Sequence, residues 1–298
     1  MARQSPATDP FDPAFHKRLE YLALVSRRLF AGRTRAERRS REVGAGVEFA
    51  DYRRYSAGDD VRRVDWNVYG RMNRLVLRLY EQEEDLSVYV LVDCSASMAF
   101  GDPPKLVYAK KLAAALAYIS LHHLDRVSIT AFHDGRLLRL APTRGRNRIF
   151  RVFDFLRPLT ASGNTRFSDA AAAFAAQNRR RGVVIVISDL YDPDGFERGI
   201  DALRYAKFET YVLHVTDPTE ARAPALGDVE LVDAETGEAR HVTVSPKLAS
   251  HYVQAYAAYR ERVRRFCVEK QVPLFEVRTD VAPEETVLGM LRRGGMFE

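Results

Sequence analysis

The chain has 298 residues, of which 46% are hydrophobic and 29% charged, and this length suits one large domain or two smaller ones. The composition is that of a globular protein and excludes disordered, collagen-like and mucin-like chains. The longest apolar runs, Leu112–Ile119 and Val183–Ile187, are far shorter than the roughly 20 residues that cross a bilayer. Because the start lacks a signal-peptide pattern and only Cys94 and Cys267 are present, we expect a soluble cytoplasmic protein without a disulfide framework.

The excess of positive charge lies near the start of the chain. The formal net charge is +6, and residues 1–80 carry 17 basic and 10 acidic side chains. Five of the basic residues lie within Arg33–Arg41. One interpretation of this run is a surface that binds nucleic acid or an anionic membrane. The other is a solvated linker, or arginines that pair with acidic residues elsewhere in the fold. No nucleic-acid-binding motif and no interleaved aromatic residues accompany it, so the sequence favours the second interpretation.

The predicted elements begin with an amphipathic helix over Phe15–Phe30, since its apolar residues recur at steps of three and four. The following stretch up to Trp66 shows no clean period. Leu75, Leu77 and Leu79 alternate with polar residues as in a half-buried strand, and Val88–Val92 is apolar throughout, as in a strand covered on both faces.

Helices and strands alternate over the rest of the chain, which predicts an α/β fold with a doubly wound, mostly parallel sheet. The predicted elements are helix Lys105–Leu121, strand Arg126–Phe132, strand Leu137–Leu140, helix Asn147–Leu156, helix Ser168–Arg180, strand Val183–Ser188, helix Gly195–Tyr205, strand Glu209–Val215, a small β-hairpin insertion over Val229–Val244, helix Pro246–Lys270, strand Pro273–Arg278 and helix Glu284–Arg293.

Small oxygen-bearing side chains follow three of the predicted elements. Asp93, Ser95 and Ser97 come directly after a buried strand, Thr165 lies in a loop before a helix, and Asp189 follows another buried strand. Ligands of open α/β sheets sit beyond the carboxyl ends of the strands. Two carboxylates and three hydroxyls form a hard, oxygen-only donor set, which suits Mg²⁺ or Mn²⁺ better than Zn²⁺.

This pattern resembles the metal-ion-dependent adhesion site of von Willebrand factor type A domains, and the resemblance covers roughly Leu86 to Arg278. Upstream, a second signature resembles the bacterial "domain of unknown function 58" family, which couples it to a type A domain. The residues that carry it are Glu48–Arg53, Tyr55, Gly58, Asp59, Asp60, Arg62, Asp65, Trp66 and Arg71.

The resemblance implies a metal held by Ser95, Ser97 and Thr165, with Asp93 and Asp189 acting directly or through water. It further implies an open coordination position that receives an acidic side chain from a protein partner. Members of the family resemble partners of MoxR-type AAA+ ATPases, so the resemblance implies an adaptor for such an ATPase in the assembly or remodelling of complexes. The loop after Asp189 departs from the family, since it is bulky at Tyr191 where many type A domains have small residues.

Each of these donors has an ordinary alternative role. Asp93 or Ser97 is able to cap the helix that begins near Lys105, and Thr165 or Ser168 is able to cap the next helix. A metal-dependent hydrolase is a further alternative, but the sequence offers no general base or nucleophile near the site.

The upstream signature is dense in charge and contains the single tryptophan of the chain. Because it lacks the spacing of a calcium loop, we expect Asp59, Asp60 and Asp65 to pair with nearby arginines. Trp66 should be buried against the sheet, since a large aromatic side chain needs apolar cover. We expect residues 1–84 to be an N-terminal extension packed on a type A-like domain of residues 85–298.

Overall fold

The computed structural model describes residues 9–30, 39–44, 48–83, 86–223 and 225–293. Their contacts divide the chain into two compact units. The larger unit contains the described residues up to Arg27 and from Leu86 onward, and the smaller unit contains those from Arg28 to Asp85. The prediction placed the first helix with the N-terminal extension, whereas in the structure it belongs to the larger unit.

The strands and helices of the described residues are numbered in chain order. The strands are β1 (Arg39–Gly44), β2 (Glu48–Arg54), β3 (Val76–Glu83), β4 (Ser87–Asp93), β5 (Arg126–His133), β6 (Arg136–Thr143), β7 (Val183–Ser188), β8 (Glu209–Thr216), β9 (Gly227–Val232), β10 (Ala239–Val244) and β11 (Leu274–Arg278). The α-helices are α1 (Pro13–Phe30), α2 (Trp66–Met72), α3 (Lys105–His122), α4 (Ile149–Leu156), α5 (Phe167–Gln177), α6 (Glu197–Tyr205), α7 (Pro246–Glu269) and α8 (Pro283–Arg293).

The sheet of the larger unit has the strand order β11-β8-β7-β4-β5-β6. All neighbouring strands run parallel except β6, which is antiparallel to β5. The predicted doubly wound, mostly parallel sheet is therefore confirmed. The predicted hairpin is also present, because β9 and β10 form a separate antiparallel pair.

The two faces of the sheet are covered by different helices, which explains why its central strands are apolar throughout. On one face, side chains such as Leu91 and Val186 join a buried cluster with residues of α5, α6 and α7. On the other face lies α3, nearly all of which is buried. Helices α1 and α8 pack around α3, where the Arg18 Nε lies 2.5 Å from the Glu284 carboxylate.

Strands β4 and β7 are neighbours at the point where the order of strand addition to the sheet changes side. After β4 the chain continues to β5 and β6 on one side, and then crosses to β7 on the other side of β4. In open α/β sheets such a point leaves a crevice at the carboxyl ends of the two strands, and ligands bind there. Asp93 ends β4 and Asp189 directly follows β7, so the topology places both predicted carboxylates at this crevice.

The smaller unit contains an antiparallel sheet of order β1-β3-β2; its strands β1 and β2 were not predicted. Two of the predicted ion pairs are present, since Arg53 lies 2.6 Å from Asp59 and Arg78 lies 2.7 Å from Asp65. Asp60 instead accepts a hydrogen bond from the Arg62 amide.

The expected burial of Trp66 is wrong, since this side chain is 61% exposed. Asp65 caps helix α2 by accepting hydrogen bonds from the Asn67 and Val68 amides. Asp65 is thereby buried, while Trp66 begins the helix on its outer side and meets the Tyr69 ring edge-on at 6.1 Å. Within the part of the chain that the structure describes, no helix is long and apolar enough to cross a membrane.

Candidate metal site

The first loop of the site follows β4 and contains three of the predicted donors. The Asp93 carboxylate accepts a hydrogen bond from the Ser95 amide at 2.9 Å, which folds the loop back over the end of its strand. The Ser95 and Ser97 hydroxyl oxygens lie 3.0 Å apart. Asp93 and Ser95 are fully buried. The loop therefore gathers one carboxylate and two hydroxyls.

The other two loops are joined to the first by hydrogen bonds. The Ala96 amide donates to the Gly163 carbonyl at 2.9 Å, and the Ser162 amide donates to the Cys94 carbonyl at 2.9 Å. On the other side, the Ser188 hydroxyl donates to the Asp93 carboxylate at 2.5 Å. Hydrogen bonds thus connect the loop after β4 with the end of β7 and with the loop between α4 and α5 that carries Thr165.

Gly163 is required at its position in the second loop. Its φ of +72° is unfavourable for other residues, and a side chain there would collide with the Asp134 carboxylate. That carboxylate accepts a hydrogen bond from the Asn164 amide at 2.6 Å. Together these constraints fix the backbone that leads to Thr165.

The electrostatics of the site are dominated by buried negative charge. Burial, and next the negative charge of Asp189, raise the pKa of the Asp93 carboxyl well above its usual range. Hydrogen bonds from Ser188 and Ser95 lower it only in part. Two carboxylates that disfavour each other's ionisation are stabilised when a cation binds between them.

A buried lysine, which the sequence analysis did not select, supplies part of the missing positive charge. The Lys105 Nζ lies 2.6 Å from the Asp189 carboxylate and 2.6 Å from the Glu220 carboxylate, and all three side chains are buried. Their interactions raise the pKa of Lys105 despite its burial. Burial nevertheless raises the pKa of Glu220 although Lys105 lowers it. The Lys105 ammonium therefore does not fully offset the burial of the Glu220 carboxylate.

Thr165 interacts with a side chain from the hairpin. Its hydroxyl donates a hydrogen bond to the Glu235 carboxylate at 2.6 Å, and its amide donates to the same oxygen at 3.0 Å. Glu235 lies in the turn between β9 and β10, 70 residues further along the chain. No local pattern in the sequence predicts this contact, because it depends on how the hairpin folds over the sheet.

The alternative in which the donors cap helices is not what the structure shows. Pro104 precedes helix α3, and the first amides of helix α5 donate to the Asp192 carboxylate, at 2.8 Å from Phe167 and 3.4 Å from Ser168. Neither Asp93 nor Thr165 fills a cap position of these two helices.

Comparison with known proteins shows the family. The model of the family "Protein of unknown function DUF58" matches residues 51–262. The chain belongs to the DUF58 family. Uncharacterized proteins of Mycobacterium tuberculosis and Mycobacterium bovis are 30% identical over 274 residues, which cover 90% of this chain and 86% of each relative.

Two solved structures show a weaker likeness to this DUF58 member. BatB from Bacteroides thetaiotaomicron is 15% identical with a TM-score of 0.42, and the match covers 70% of this chain and 100% of that one. The VWA domain of SpRpn10 is 14% identical with a TM-score of 0.38, covering 68% and 94%. Likeness at this level gives no information on ligands or partners.

The donors of this family member fit a hard divalent cation. Within the described residues, no group of three or more histidine, cysteine, aspartate or glutamate side chains is placed to hold a metal. Carboxylate and hydroxyl oxygens, together with the unbalanced charge of Asp93, are instead the chemistry that Mg²⁺ or Mn²⁺ prefers. Cys94 lies within the loop but is buried, and burial raises the pKa of its thiol to about 12.

A cavity of about 350 Å³ adjoins this site. Its wall includes Ser97, Lys105 and Tyr191, with the remaining lining from Phe100, Glu220, Ala234, Tyr252, Ala255, Tyr256 and Tyr259. Several of the tyrosine hydroxyls are engaged elsewhere; for example, Tyr252 donates to the Glu220 carbonyl at 2.8 Å. Tyr191, the bulky residue of the third loop, is thus part of an aromatic wall beside the candidate metal ligands.

Proposed function

We propose that this protein is a module that binds a protein partner through a divalent cation. The cation is Mg²⁺ or Mn²⁺, and its ligands are Asp93, Ser95, Ser97, Thr165 and Asp189. The observation that carries the proposal is the hydrogen-bonded joining of the loops after β4, before α5 and at the end of β7, beside the buried carboxylates of Asp93 and Asp189.

The partner's contribution is an acidic side chain. A dication with two anionic protein ligands and neutral hydroxyls attracts a further carboxylate. The neighbouring cavity, with its aromatic wall, is suited to an apolar side chain next to that carboxylate in the partner. We propose binding rather than catalysis, because the sequence offers no general base or nucleophile near the site.

The partner that the family resemblance suggests is a MoxR-type AAA+ ATPase, for which this protein would act as a cytoplasmic adaptor in the assembly or remodelling of complexes. The alternative of a nucleic-acid or membrane surface rests on Arg33–Arg41. Most of that segment lies outside the described residues. Binding through Arg33–Arg41 is therefore tested as one outcome of the second experiment below.

The first experiment measures Mn²⁺ and Mg²⁺ binding by calorimetry. Asp93→Asn keeps the size of the side chain but removes its charge, and we expect affinity to fall by at least about tenfold. Asp194→Asn is the matched control, because Asp194 is an exposed carboxylate of the loop after β7. Equal Mn²⁺ binding by wild type and Asp93→Asn would show that the metal assignment is wrong.

The second experiment measures retention of a MoxR-type ATPase on the immobilised protein, with Mg²⁺ or with EDTA. Thr165→Ala and Ser97→Ala should lose the ATPase together, and Thr165→Ser should keep it. Replacing Arg35, Arg38 and Arg39 by alanine should change the on-rate or the salt sensitivity modestly, because charges outside the metal site mainly steer encounter. If the arginine variant loses the ATPase while Thr165→Ala retains it, the N-terminal segment is the interaction surface.

A further inference from the structure

The contact between Glu235 and Thr165 places one of the protein's own carboxylates beside a candidate metal ligand. A single oxygen of Glu235 accepts hydrogen bonds from both the hydroxyl and the amide of Thr165. A hydroxyl that donates its proton still has lone pairs for a cation. The contact therefore leaves Thr165 able to bind metal and brings a negative group to the same place.

Hydrogen bonds within the turn between β9 and β10 hold the backbone around Glu235. The Asp233 carboxylate accepts hydrogen bonds from the Glu235 amide at 2.9 Å and from the Thr236 amide at 2.8 Å. The Gly237 amide donates to the Asp233 carbonyl at 2.9 Å, and Gly237 has a φ of +71° that closes the turn. These bonds define the backbone of the turn at the position of Glu235.

The hairpin has little else to hold its tip at the site. Most side chains of β9 and β10 are exposed, and a two-stranded sheet without a core is only marginally stable. At the tip, Ala234 lines the aromatic cavity and Glu235 bonds Thr165. The tip therefore covers both the cavity and the edge of the candidate metal site.

Charge supplies the reason for a cation at this contact. The Asp93, Asp189 and Glu220 carboxylates are buried at the site, and the Lys105 ammonium pairs with those of Asp189 and Glu220. Glu235 adds a further negative charge at the neighbouring loop. Without another cation the carboxylates repel Glu235, whereas a dication bound at the site would make the approach of Glu235 favourable.

We propose that Glu235 is an internal ligand of the cation and competes there with the acidic side chain of a partner. This inference rests on the proposed function, because it assigns the occupant of the open position of the same site. A ligand tethered to the site acts at a high effective concentration. A partner must then displace the hairpin tip, so the apparent affinity of the module is set by how firmly the tip is held.

The test compares wild type with Glu235→Gln, using Mn²⁺ alone as the probe. Glutamine keeps the size of the side chain and the ability to accept from Thr165 but is a poor ligand. Glu238→Gln is the control, because Glu238 lies in the same turn, is exposed and accepts from Arg240 instead. All three proteins should fold alike, since both substitutions lie in an exposed hairpin.

Two measurements distinguish a ligand from a simple structural contact. Water-proton relaxation counts the waters on bound Mn²⁺, and we expect about one more in Glu235→Gln than in wild type or Glu238→Gln. Hydrogen exchange follows the amides of Thr165 and of residues 235–237. Mn²⁺ should slow the exchange of residues 235–237 in wild type and Glu238→Gln and leave it unchanged in Glu235→Gln, whereas the Thr165 amide should respond to Mn²⁺ in all three proteins.

The outcomes separate this inference from the proposed function. If wild type fails to bind Mn²⁺, or Asp93→Asn binds it equally well, the metal site itself is wrong. If Mn²⁺ binding depends on Asp93 but water number and exchange are the same in wild type and Glu235→Gln, the internal ligand is wrong. Competition is tested by ATPase retention, which should occur at lower ATPase concentration with Glu235→Gln; equal or weaker retention would overturn it.

Discussion

Lys105 offers the sharpest test of how the site is held together, and the change to make is Lys105→Met. Methionine approximates the length of the side chain and removes its charge. In the wild type the Lys105 ammonium lies 2.6 Å from each of two buried carboxylates, those of Asp189 and Glu220. The variant leaves both carboxylates buried without a partner of opposite charge.

The expected loss follows from these contacts. Removing one member of a buried ion pair costs about 3–5 kcal/mol. The pKa of Glu220 is already raised by burial with Lys105 present, and it rises further without it, so Glu220 takes up a proton and limits the loss. We therefore expect about 3 kcal/mol near pH 8 and less near pH 5, where the protonated carboxyl needs no counter-charge.

The assay is thermal and denaturant unfolding of Lys105→Met at both pH values. For a domain of this size the expected loss near pH 8 lowers the melting temperature by about 6–12 °C. Lys111→Met is the control, since Lys111 lies on the same helix but is partly exposed. Glu220→Gln added to Lys105→Met should recover part of the loss. A deficit below about 1 kcal/mol near pH 8, or one that grows toward pH 5, would refute this account of the cluster.

Two further predictions concern other regions. The hydrogen bond from Arg78 holds the pKa of Asp65 below its usual range, so this carboxylate stabilises the fold above about pH 4 and loses that effect as the pH falls. The stability gap between wild type and Asp65→Asn, followed by the fluorescence of Trp66, should therefore close in acid, and a constant gap would contradict the ion pair. Burial raises the pKa of Cys94 to about 12 and of Cys267 to about 11, so DTNB should label neither thiol until denaturant is added; rapid labelling of the native protein would contradict this burial.

Much of the larger unit was predictable because its elements carry strong local signals. The run Val88–Val92 is apolar since helices cover both faces of the central strand, and helix α3 was placed within one residue of its end at His122. The strand-end rule then located Asp93, Ser95 and Asp189 at one edge. The structure places these loops together, while metal binding by them stays a prediction.

The unpredicted features depend on contacts between distant parts of the chain. Lys105 is 84 residues from Asp189 and 115 from Glu220, and at the start of an apolar helix it gives no local sign of burial. Glu235 lies in a polar hairpin turn, and the sequence of such a turn does not predict a contact with Thr165. Trp66 was misplaced for the opposite reason, since its size suggested burial while the cap formed by Asp65 decided its direction.

The buried lysine and the hairpin tip bear on the same physical problem. A site that binds a dication must carry negative charge, yet buried carboxylates without counter-charge destabilise the fold when the cation is absent. Lys105 offsets part of that charge from within the core, at the side of Asp189 that faces Glu220. Glu235 contacts the site from a hairpin whose side chains are mostly exposed. The permanent charge partner therefore lies at the buried start of helix α3, and the proposed exchangeable ligand lies in the turn of the exposed hairpin.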